Sequence, residues 1–260
     1  MSAISPRLIV HGCTGKLGSR IVALSRTRFE RASIFGVSRA NAQDIAHAMR
    51  DDDAHVYTRI ARDELPARLP RDQRALVLID VTSGHGADDA LTLAKVLKDF
   101  SFNPAILICS TGLSDAALAR ARALSAVLPV LVTPNTSLGV TALAGAATSI
   151  ARALGPDFVP TIIEAHHAQK KDAPSGTALR LARALSAGGI EVPPSSIHAL
   201  RGGDVIGEHT IRLTGPGEVI ELTHRATTRD LFAWGALRCA QWLAGRPPGF
   251  YAMESVLEVR

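Results

Sequence analysis

The chain has 260 residues, 47% of them hydrophobic and 4% aromatic, which allows one large or two modest domains built mainly from aliphatic side chains. This composition is typical of α/β folds and excludes a disordered chain. The net charge of +5, from 29 basic and 24 acidic residues, comes without a clustered basic stripe, so we expect attraction for small anions and no nucleic-acid partner.

The cysteines and the hydropathy of the chain indicate in which cellular compartment the protein is expected. The three cysteines, Cys13, Cys109 and Cys239, form no CxxC pair and no disulfide framework, which favours a reducing compartment. The first residues lack the apolar stretch of a signal peptide, and no run approaches the roughly 18 apolar residues that span a membrane. We therefore expect a cytoplasmic protein without a membrane partner.

Strands and helices alternate along the first half of the chain. Continuous apolar runs such as 75–82 are typical of parallel strands covered on both faces. The alternation predicts βαβ units, and so an α/β fold with an N-terminal, Rossmann-like doubly wound parallel sheet. The predicted strands are 7–12, 32–38, 75–82, 105–110 and 129–133, with helices at about 17–26, 87–98 and 114–125.

The pattern changes after residue 134. A second, α+β domain is predicted from a helix over 139–154, a strand over 158–167, a helix opening near Ser175, and two strands around a Gly-Pro-Gly turn within 208–226. The helical segment that follows is expected to return to the first domain, because an α/β sheet needs helices on both faces. The predicted domains are therefore 1–134 with 229–260, and 135–228.

A glycine loop follows the first predicted strand. Gly12, Gly15 and Gly18 form a G-x-x-G-x-x-G pattern that allows a tight turn, close approach to a pyrophosphate and close helix–strand packing. The helix that begins there offers free N–H groups to an anion, and Lys16 adds positive charge. An ordinary βα turn is the alternative. The position at the head of a βαβ series favours dinucleotide binding.

Residues after other strands bear on which cofactor is bound. Ser38 and Arg39 end the second strand, where an acidic residue would hold the ribose of NADH; a hydroxyl and an arginine suit the 2′-phosphate of NADPH better, unless Arg39 is only a surface residue. The segments "CSTG" (109–112) and "TPNTS" (133–137) follow later strands and are expected to line the nicotinamide. Alternatively, Cys109 is a buried apolar residue and Asn135 stabilises a turn.

The stretch "EAHHAQKKDAPSGTA" (164–178) concentrates proton carriers, cations and donors. Histidine exchanges a proton near neutral pH, and lysine can hold a carboxylate or stabilise a developing anion. If the segment is helical, His166 and Lys170 lie one turn apart. A helix beginning near Ser175 would aim its first amides and hydroxyls at an anion. Together these residues predict a pocket for a substrate with carboxylates.

Plainer explanations exist for the same stretch. The histidine pair with Glu164 could hold a metal, but no further spaced ligands and no H-E-x-x-H motif accompany it, so we expect no metal. The lysines could belong to a solvated loop in which Ser175 is only a helix cap. Asp172 is expected to orient the loop or to pair with a lysine.

The motif "EAHHAQKKDAPSGTAL" resembles the signature of the 4-hydroxy-tetrahydrodipicolinate (dihydrodipicolinate) reductases. The likeness extends through "GCTGKLG", "STG", "NTSLGV", "GGDVIGEHT" and "ELTHRA", in order along nearly the whole chain. The resemblance implies NAD(P)H-dependent hydride transfer to a cyclic imine dicarboxylate, followed by protonation, on the diaminopimelate route to lysine. It also implies that the second domain binds substrate and builds a homotetramer through its sheets.

The resemblance also implies residue roles. His166 would be the proton donor or acceptor, and Lys170 a second donor or electrostatic partner. The substrate carboxylates would be held by His167, Gly176 and Thr177, with help from Ser175 and Thr111. The cofactor would be held by Gly12, Cys13, Thr14, Gly15, Lys16, Leu17, Ser38, Arg39, Cys109, Ser110, Thr111, Thr133, Pro134, Asn135 and Thr136.

Three departures from the family pattern lie on the cofactor side. Cys109 begins a segment that in the family is often Gly-Thr-Thr-Gly, Thr136 stands where a Phe is common, and Ser38 where many members are acidic. The choice between NADPH and NADH therefore stays open. Two other functions also stay open: a nucleotide-binding sensor without turnover, and a nicotinamide-dependent reductase of another small acid.

Overall fold

A computed structural model describes residues 5–27, 29, 34–38, 55–58 and 65–257. The chain forms two compact units. Unit 1 comprises Met1–Thr136 with Phe232–Arg260, and unit 2 comprises Ser137–Leu231.

Unit 1 is built on a seven-stranded sheet in the order β11-β6-β5-β4-β1-β2-β3. Every pairing in it is parallel, so the carboxyl ends of the strands share one edge of the sheet. The strands are β1 (Arg7–His11), β2 (Ile34–Ser38), β3 (His55–Thr58), β4 (Leu76–Asp80), β5 (Ala105–Ile108), β6 (Pro129–Val132) and β11 (Gly249–Tyr251).

Helices cover this sheet and complete its core. β1 and β4 are buried at every position, as a central strand covered on both faces must be. The serines Ser83 and Ser114 cap two of the helices through their side chains, which accept the amides of Gly86 and Ala117. The helices are α1 (Lys16–Ser25), α2 (Leu65–Arg68), α3 (Gly84–Asp99), α4 (Asp115–Leu124), α7 (Asp230–Leu243) and α8 (Met253–Leu257).

Unit 2 is a mixed four-stranded sheet in the order β10-β9-β7-β8, with two helices. β7 pairs in parallel with β8 and antiparallel with β9, which forms a hairpin with β10. Apolar residues of β7 and β9, such as Ile162 and Ile211, form a core with Leu181 and Leu185 of α6. The elements are α5 (Leu138–Leu154), β7 (Val159–His166), α6 (Gly176–Ala187), β8 (Ile197–Arg201), β9 (Glu208–Gly215) and β10 (Glu218–Arg225), with a 3-10 turn at Pro194–Ser196.

The predicted fold class is confirmed, but several short elements and one helical segment differ from the prediction. The sequence patterns did not predict β3, β8, β11, α2 or α8, which are three to five residues long and carry little periodic signal. The helical interpretation of residues 166–170 is wrong, because β7 ends at His166 and a turn follows it. In the described part of the chain, no helix is long and apolar enough to cross a membrane.

Gly18 offers a test of the packing at the start of α1. A Cβ built on Gly18 would lie 2.1 Å from the carbonyl oxygen of Gly12, which is backbone and cannot swing away. We expect Gly18→Ala to lower the free energy of unfolding by about 1–3 kcal/mol in urea titrations.

The matched control is Gly145→Ala in α5, an exposed helical glycine where an added Cβ would have no heavy atom within 4 Å. There the helix propensity of alanine should raise the stability by up to about 1 kcal/mol. Equal effects of the two substitutions would contradict the close approach.

Candidate functional site

The glycine loop of unit 1 joins the end of β1 to the start of α1. Gly12 has φ +90°, a conformation that side chains disfavour, and a Cβ on it would lie 2.8 Å from Cγ2 of Thr82. Gly15 occupies the N-cap of α1 and makes no side-chain cap to the first turn. The amides of that turn and the positive end of the helix dipole suit a phosphate group.

A pocket of about 590 Å³ opens at this edge of the sheet, a size suited to a small ligand or part of a dinucleotide. Its walls come from the segments after β1, β4, β5 and β6, where ligands bind in open α/β sheets. The lining residues are His11, Gly12, Thr14, Gly15, Lys16, Leu17, Val81, Thr82, Ser83, Gly86, Cys109, Ser110, Thr111 and Pro134. Nine of the residues expected at the cofactor are among them.

The other expected cofactor residues have different surroundings. Cys13 is fully buried, and Asn135 does not line the pocket. Thr133 donates its hydroxyl to the carbonyl of Asn135 at 2.8 Å, and Thr136 donates to the carbonyl of Phe232 at 2.7 Å. Both threonines are buried and stabilise the chain around the pocket. The side chain of Ser38 and all of Arg39 lie outside the described residues.

Asp80 at the end of β4 holds one side of the pocket together. Its fully buried carboxylate accepts hydrogen bonds from Nδ1 of His11 at 2.9 Å, from Oγ1 of Thr82 at 2.7 Å, and from Oγ of Ser110. The network ties together the segments at the ends of β1, β4 and β5. The sequence signal for it was a lone acidic residue closing an otherwise apolar strand.

The thiols of unit 1 are held in their protonated form. Burial raises the pKa of Cys13 to about 12 and raises the pKa of Cys109 well above its ordinary value. A protonated, buried thiol is a poor nucleophile. Cys109 is buried and also lines the pocket, so both the expected place at the cofactor and the alternative of a small apolar residue stay open.

In unit 2, the acidic and histidine residues of the central motif meet at the end of β7. Side chains alternate between the two faces of the strand, so Glu164 and His166 project to the same buried side. Glu164 is fully buried, and its carboxylate accepts a hydrogen bond from Nδ1 of His166. Arg201 at the end of β8 donates to both oxygens of Glu164, at 2.9 and 2.7 Å, and the amide of Ser175 donates at 3.1 Å.

The electrostatics of this cluster follow from its composition. Burial by itself raises the pKa of Glu164, but Arg201, His166 and the amide of Ser175 outweigh it, and the net pKa is lowered. Burial lowers the pKa of His166, against the opposing effect of Glu164 and with help from Lys170 and Arg201. Glu164 is therefore ionised and His166 mostly neutral near pH 7.

Ser175 begins α6 and connects the cluster to the first turn of that helix. Its Oγ accepts the amide of Ala178 at 3.1 Å and lies 3.2 Å from Nε2 of His209. His209 also packs edge-on against His166, with ring centroids 5.1 Å apart, and burial lowers its pKa to about 4. Gly176 and Thr177 follow as the first residues of α6.

The remaining residues of the motif lie in the turn after β7. Nζ of Lys170 contacts both carboxylate oxygens of Asp172, at 2.7 and 2.8 Å, and this contact lowers the pKa of Asp172. The predicted pairing of Asp172 with a lysine is confirmed. His167 contacts Oε1 of Gln169 through Nδ1, at 3.1 Å.

Sequence reasoning missed two members of the cluster, Arg201 and His209, and treated Glu164 only as a metal ligand. Arg201 precedes, and His209 belongs to, the "GGDVIGEHT" segment, which carried a resemblance and no stated role. Within the described ranges, no group of three or more His, Cys, Asp or Glu residues could hold a metal ion.

Comparison with known proteins shows the family of the chain. A family model described as "Dihydrodipicolinate reductase, N-terminus" matches residues 6–136, and one described as "Dihydrodipicolinate reductase, C-terminus" matches residues 139–257. A 4-hydroxy-tetrahydrodipicolinate reductase of Myxococcus xanthus is 39% identical over 274 residues, covering 96% of this chain and 97% of the relative. One of Aquifex aeolicus is 36% identical and covers 98% and 99%.

Solved structures support the fold. A dipicolinate-bound dihydrodipicolinate reductase from Paenisporosarcina superposes with a TM-score of 0.69 at 21% identity, covering 95% of this chain and 97% of that one. A scyllo-inositol dehydrogenase from Lactobacillus casei superposes with a TM-score of 0.53 at 12% identity, covering 92% and 88%. Since the family models span both units and full-length relatives exceed 30% identity, the chain belongs to the dihydrodipicolinate reductase family.

Proposed function

We propose that this chain reduces 4-hydroxy-tetrahydrodipicolinate, the compound in its relatives' names, and that the product is tetrahydrodipicolinate in the diaminopimelate route to lysine. It is an oxidoreductase that uses a nicotinamide cofactor. The observation that carries the proposal is the pairing of His166 with buried Glu164 beside the N-terminus of α6. That arrangement combines a group able to transfer a proton with donors suited to a carboxylate.

The pocket of unit 1 fits the cofactor. The first amides of α1 and Lys16 would hold the pyrophosphate, and Gly12 keeps the loop free of side-chain atoms. When bound, the reduced nicotinamide supplies a hydride. We propose that NADPH is preferred over NADH, on the sequence argument from Ser38 and Arg39.

The substrate is proposed to bind through its carboxylates in unit 2. The Oγ of Ser175 already accepts the amide of Ala178 and contacts His209, so we propose that Gly176 and Thr177, in the first turn of α6, are the better partners for a carboxylate. His167 would contribute from the turn after β7. The solved relative with dipicolinate bound supports a dicarboxylate of this class.

Proton delivery is assigned to Nε2 of His166, with Lys170 stabilising the negative charge that develops on the ring. His166 is mostly neutral in the free protein because burial lowers its pKa. A bound dianion favours the protonated imidazole, because opposite charges within a few ångströms stabilise each other. Substrate binding would therefore favour protonation of His166, and this is the proton that the reaction consumes.

A homotetramer built through the unit 2 sheets is part of the proposal. Val159, Leu200 and Val219 are 63%, 57% and 44% exposed. The strand registers place them on one face of the sheet, opposite the face that packs against α6. The same face also carries charged side chains such as Arg212 and Glu221, so we propose that only its exposed apolar residues are buried between subunits. A cytoplasmic location stays a prediction.

Substitutions at the two proposed catalytic residues test the assignment. We expect His166→Gln and Lys170→Ala each to lower kcat/KM by about a hundredfold or more, because each removes a group acting in the transition state. The assay is oxidation of NADPH and NADH with enzymatically generated substrate.

Lys171→Ala is the matched control, since Lys171 is the exposed neighbour of Lys170 and has no assigned role. It should change kcat/KM by less than about threefold. Tight nucleotide binding by the wild type without turnover would instead support the sensor, and turnover of a related keto or imino acid alone would support a different reductase.

Cofactor preference is tested separately at Arg39. If its guanidinium holds the 2′-phosphate, Arg39→Ala should lower kcat/KM with NADPH by about tenfold or more and leave kcat/KM with NADH nearly unchanged. Initial rates with each cofactor measure the ratio. An equal loss with both cofactors would contradict the assignment.

A further inference from the structure

The carboxylate of Glu164 divides its bonds between two parts of the proposed substrate site. Oε2 accepts a hydrogen bond from Nδ1 of His166, the proposed proton-transfer residue. Oε1 accepts one from the amide of Ser175, where α6 begins. Arg201 bridges both oxygens with its two terminal nitrogens. One rigid, planar group thus sets the position of the imidazole relative to the carboxylate-binding turn.

We propose that Glu164, neutralised by Arg201, is the positioning residue of the reaction: it selects the ring nitrogen that His166 presents to substrate and fixes that nitrogen relative to the turn at Ser175. This inference rests on the proposed function and deepens it. It gives no chemical step to Glu164 itself, which acts through His166.

The choice of ring nitrogen follows from hydrogen-bond chemistry. An ionised carboxylate only accepts, and both oxygens of Glu164 receive donors from Arg201, so Nδ1 of His166 must carry its hydrogen. Nε2 is then the nitrogen left to exchange a proton. It lies on the side of Gly207, where an added Cβ would approach Nε2 to 3.1 Å. The glycine keeps the approach to Nε2 open.

Arg201 affects the Glu164–His166 pair both through its position and through its charge. It is held in position by the hydrogen bonds that it donates to the carbonyls of Leu200 and Asp172, each at 2.6 Å. The second bond also anchors the turn that carries Lys170, whose ammonium pairs with Asp172. Electrostatically, the guanidinium offsets the charge of Glu164. A lone buried carboxylate would keep His166 protonated, whereas the neutralised one leaves it able to titrate.

Several charged or titratable groups surround His166. Glu164 lies on its own strand, Arg201 on β8 and His209 on β9, while Lys170, paired with Asp172, lies in the following turn. Glu164 favours the imidazolium, and Lys170 and Arg201 disfavour it. Removing Glu164 and removing Arg201 must therefore shift the titration of His166 in opposite directions.

The test is the pH dependence of kcat for Glu164→Gln and Arg201→Met. A protonated His166 is required for proton delivery, so kcat falls as the pH rises through its pKa in the complex. We expect this fall to move to lower pH by roughly one unit in Glu164→Gln and to higher pH by roughly one unit in Arg201→Met. Arg201→Lys, which keeps the charge, should restore a near-wild-type midpoint.

Arg120→Met is the control. It removes an arginine from an exposed ion pair with Asp88 in unit 1, at 2.6 Å, and should leave the midpoint unchanged. If Glu164 and Arg201 only support the structure, both substitutions will lower kcat without opposite shifts, and that result overturns the inference.

A second measurement needs no turnover and no destabilised variant. Nitrogen-15 NMR of the imidazole groups reports which ring nitrogen carries hydrogen in the neutral form. The signals of His166 are assigned as those that are missing from the spectrum of His166→Gln. The inference requires hydrogen on Nδ1 in the wild type, and hydrogen on Nε2 would overturn it. Since this readout is independent of substrate, inactivity of the wild type would count against the proposed function alone.

Discussion

A charge buried in a protein interior must be matched, and the site in unit 2 depends on one such match. Glu164 is fully buried and would be strongly unfavourable by itself. The bidentate guanidinium of Arg201, the imidazole of His166 and the amide of Ser175 satisfy its two oxygens. Arg201 ends β8, Ser175 begins α6, and His166 is the proposed proton donor at the end of β7. The requirement to satisfy one carboxylate therefore assembles the site.

Unit 1 also contains a buried carboxylate whose oxygens accept hydrogen bonds from several segments. Asp80 is fully buried at the end of β4 and takes donors from the segments that end β1 and β5, as well as from Thr82. In a parallel sheet these segments converge at the carboxyl edge, where ligands bind. The carboxylate holds the walls of the pocket proposed for the nucleotide in place, while the glycine loop supplies the space. Each unit thus combines a buried acid that fixes geometry with a helix N-terminus that is proposed to bind an anion.

The two helix N-termini differ in how they are capped, and the difference suits their proposed ligands. α1 begins at Gly15 without a side-chain cap, in a loop where glycine allows close approach of a pyrophosphate. α6 begins at Ser175, whose hydroxyl caps the helix and contacts His209, and the proposed carboxylate site lies in the first turn that follows.

The sequence by itself determined the fold class, the order of the longer strands and helices, and the segments that carry the chemistry. These follow from local signals: apolar periodicity, glycine spacing, and a dense run of proton carriers. Tertiary structure decided which side chains meet. Arg201 reaches Glu164 only because β8 lies beside β7, and that pairing joins residues 37 positions apart. Likewise, a strand ending at His166, and not a helix through Lys170, puts Glu164 and His166 on one face. Such pairings depend on long-range packing, which no local pattern encodes.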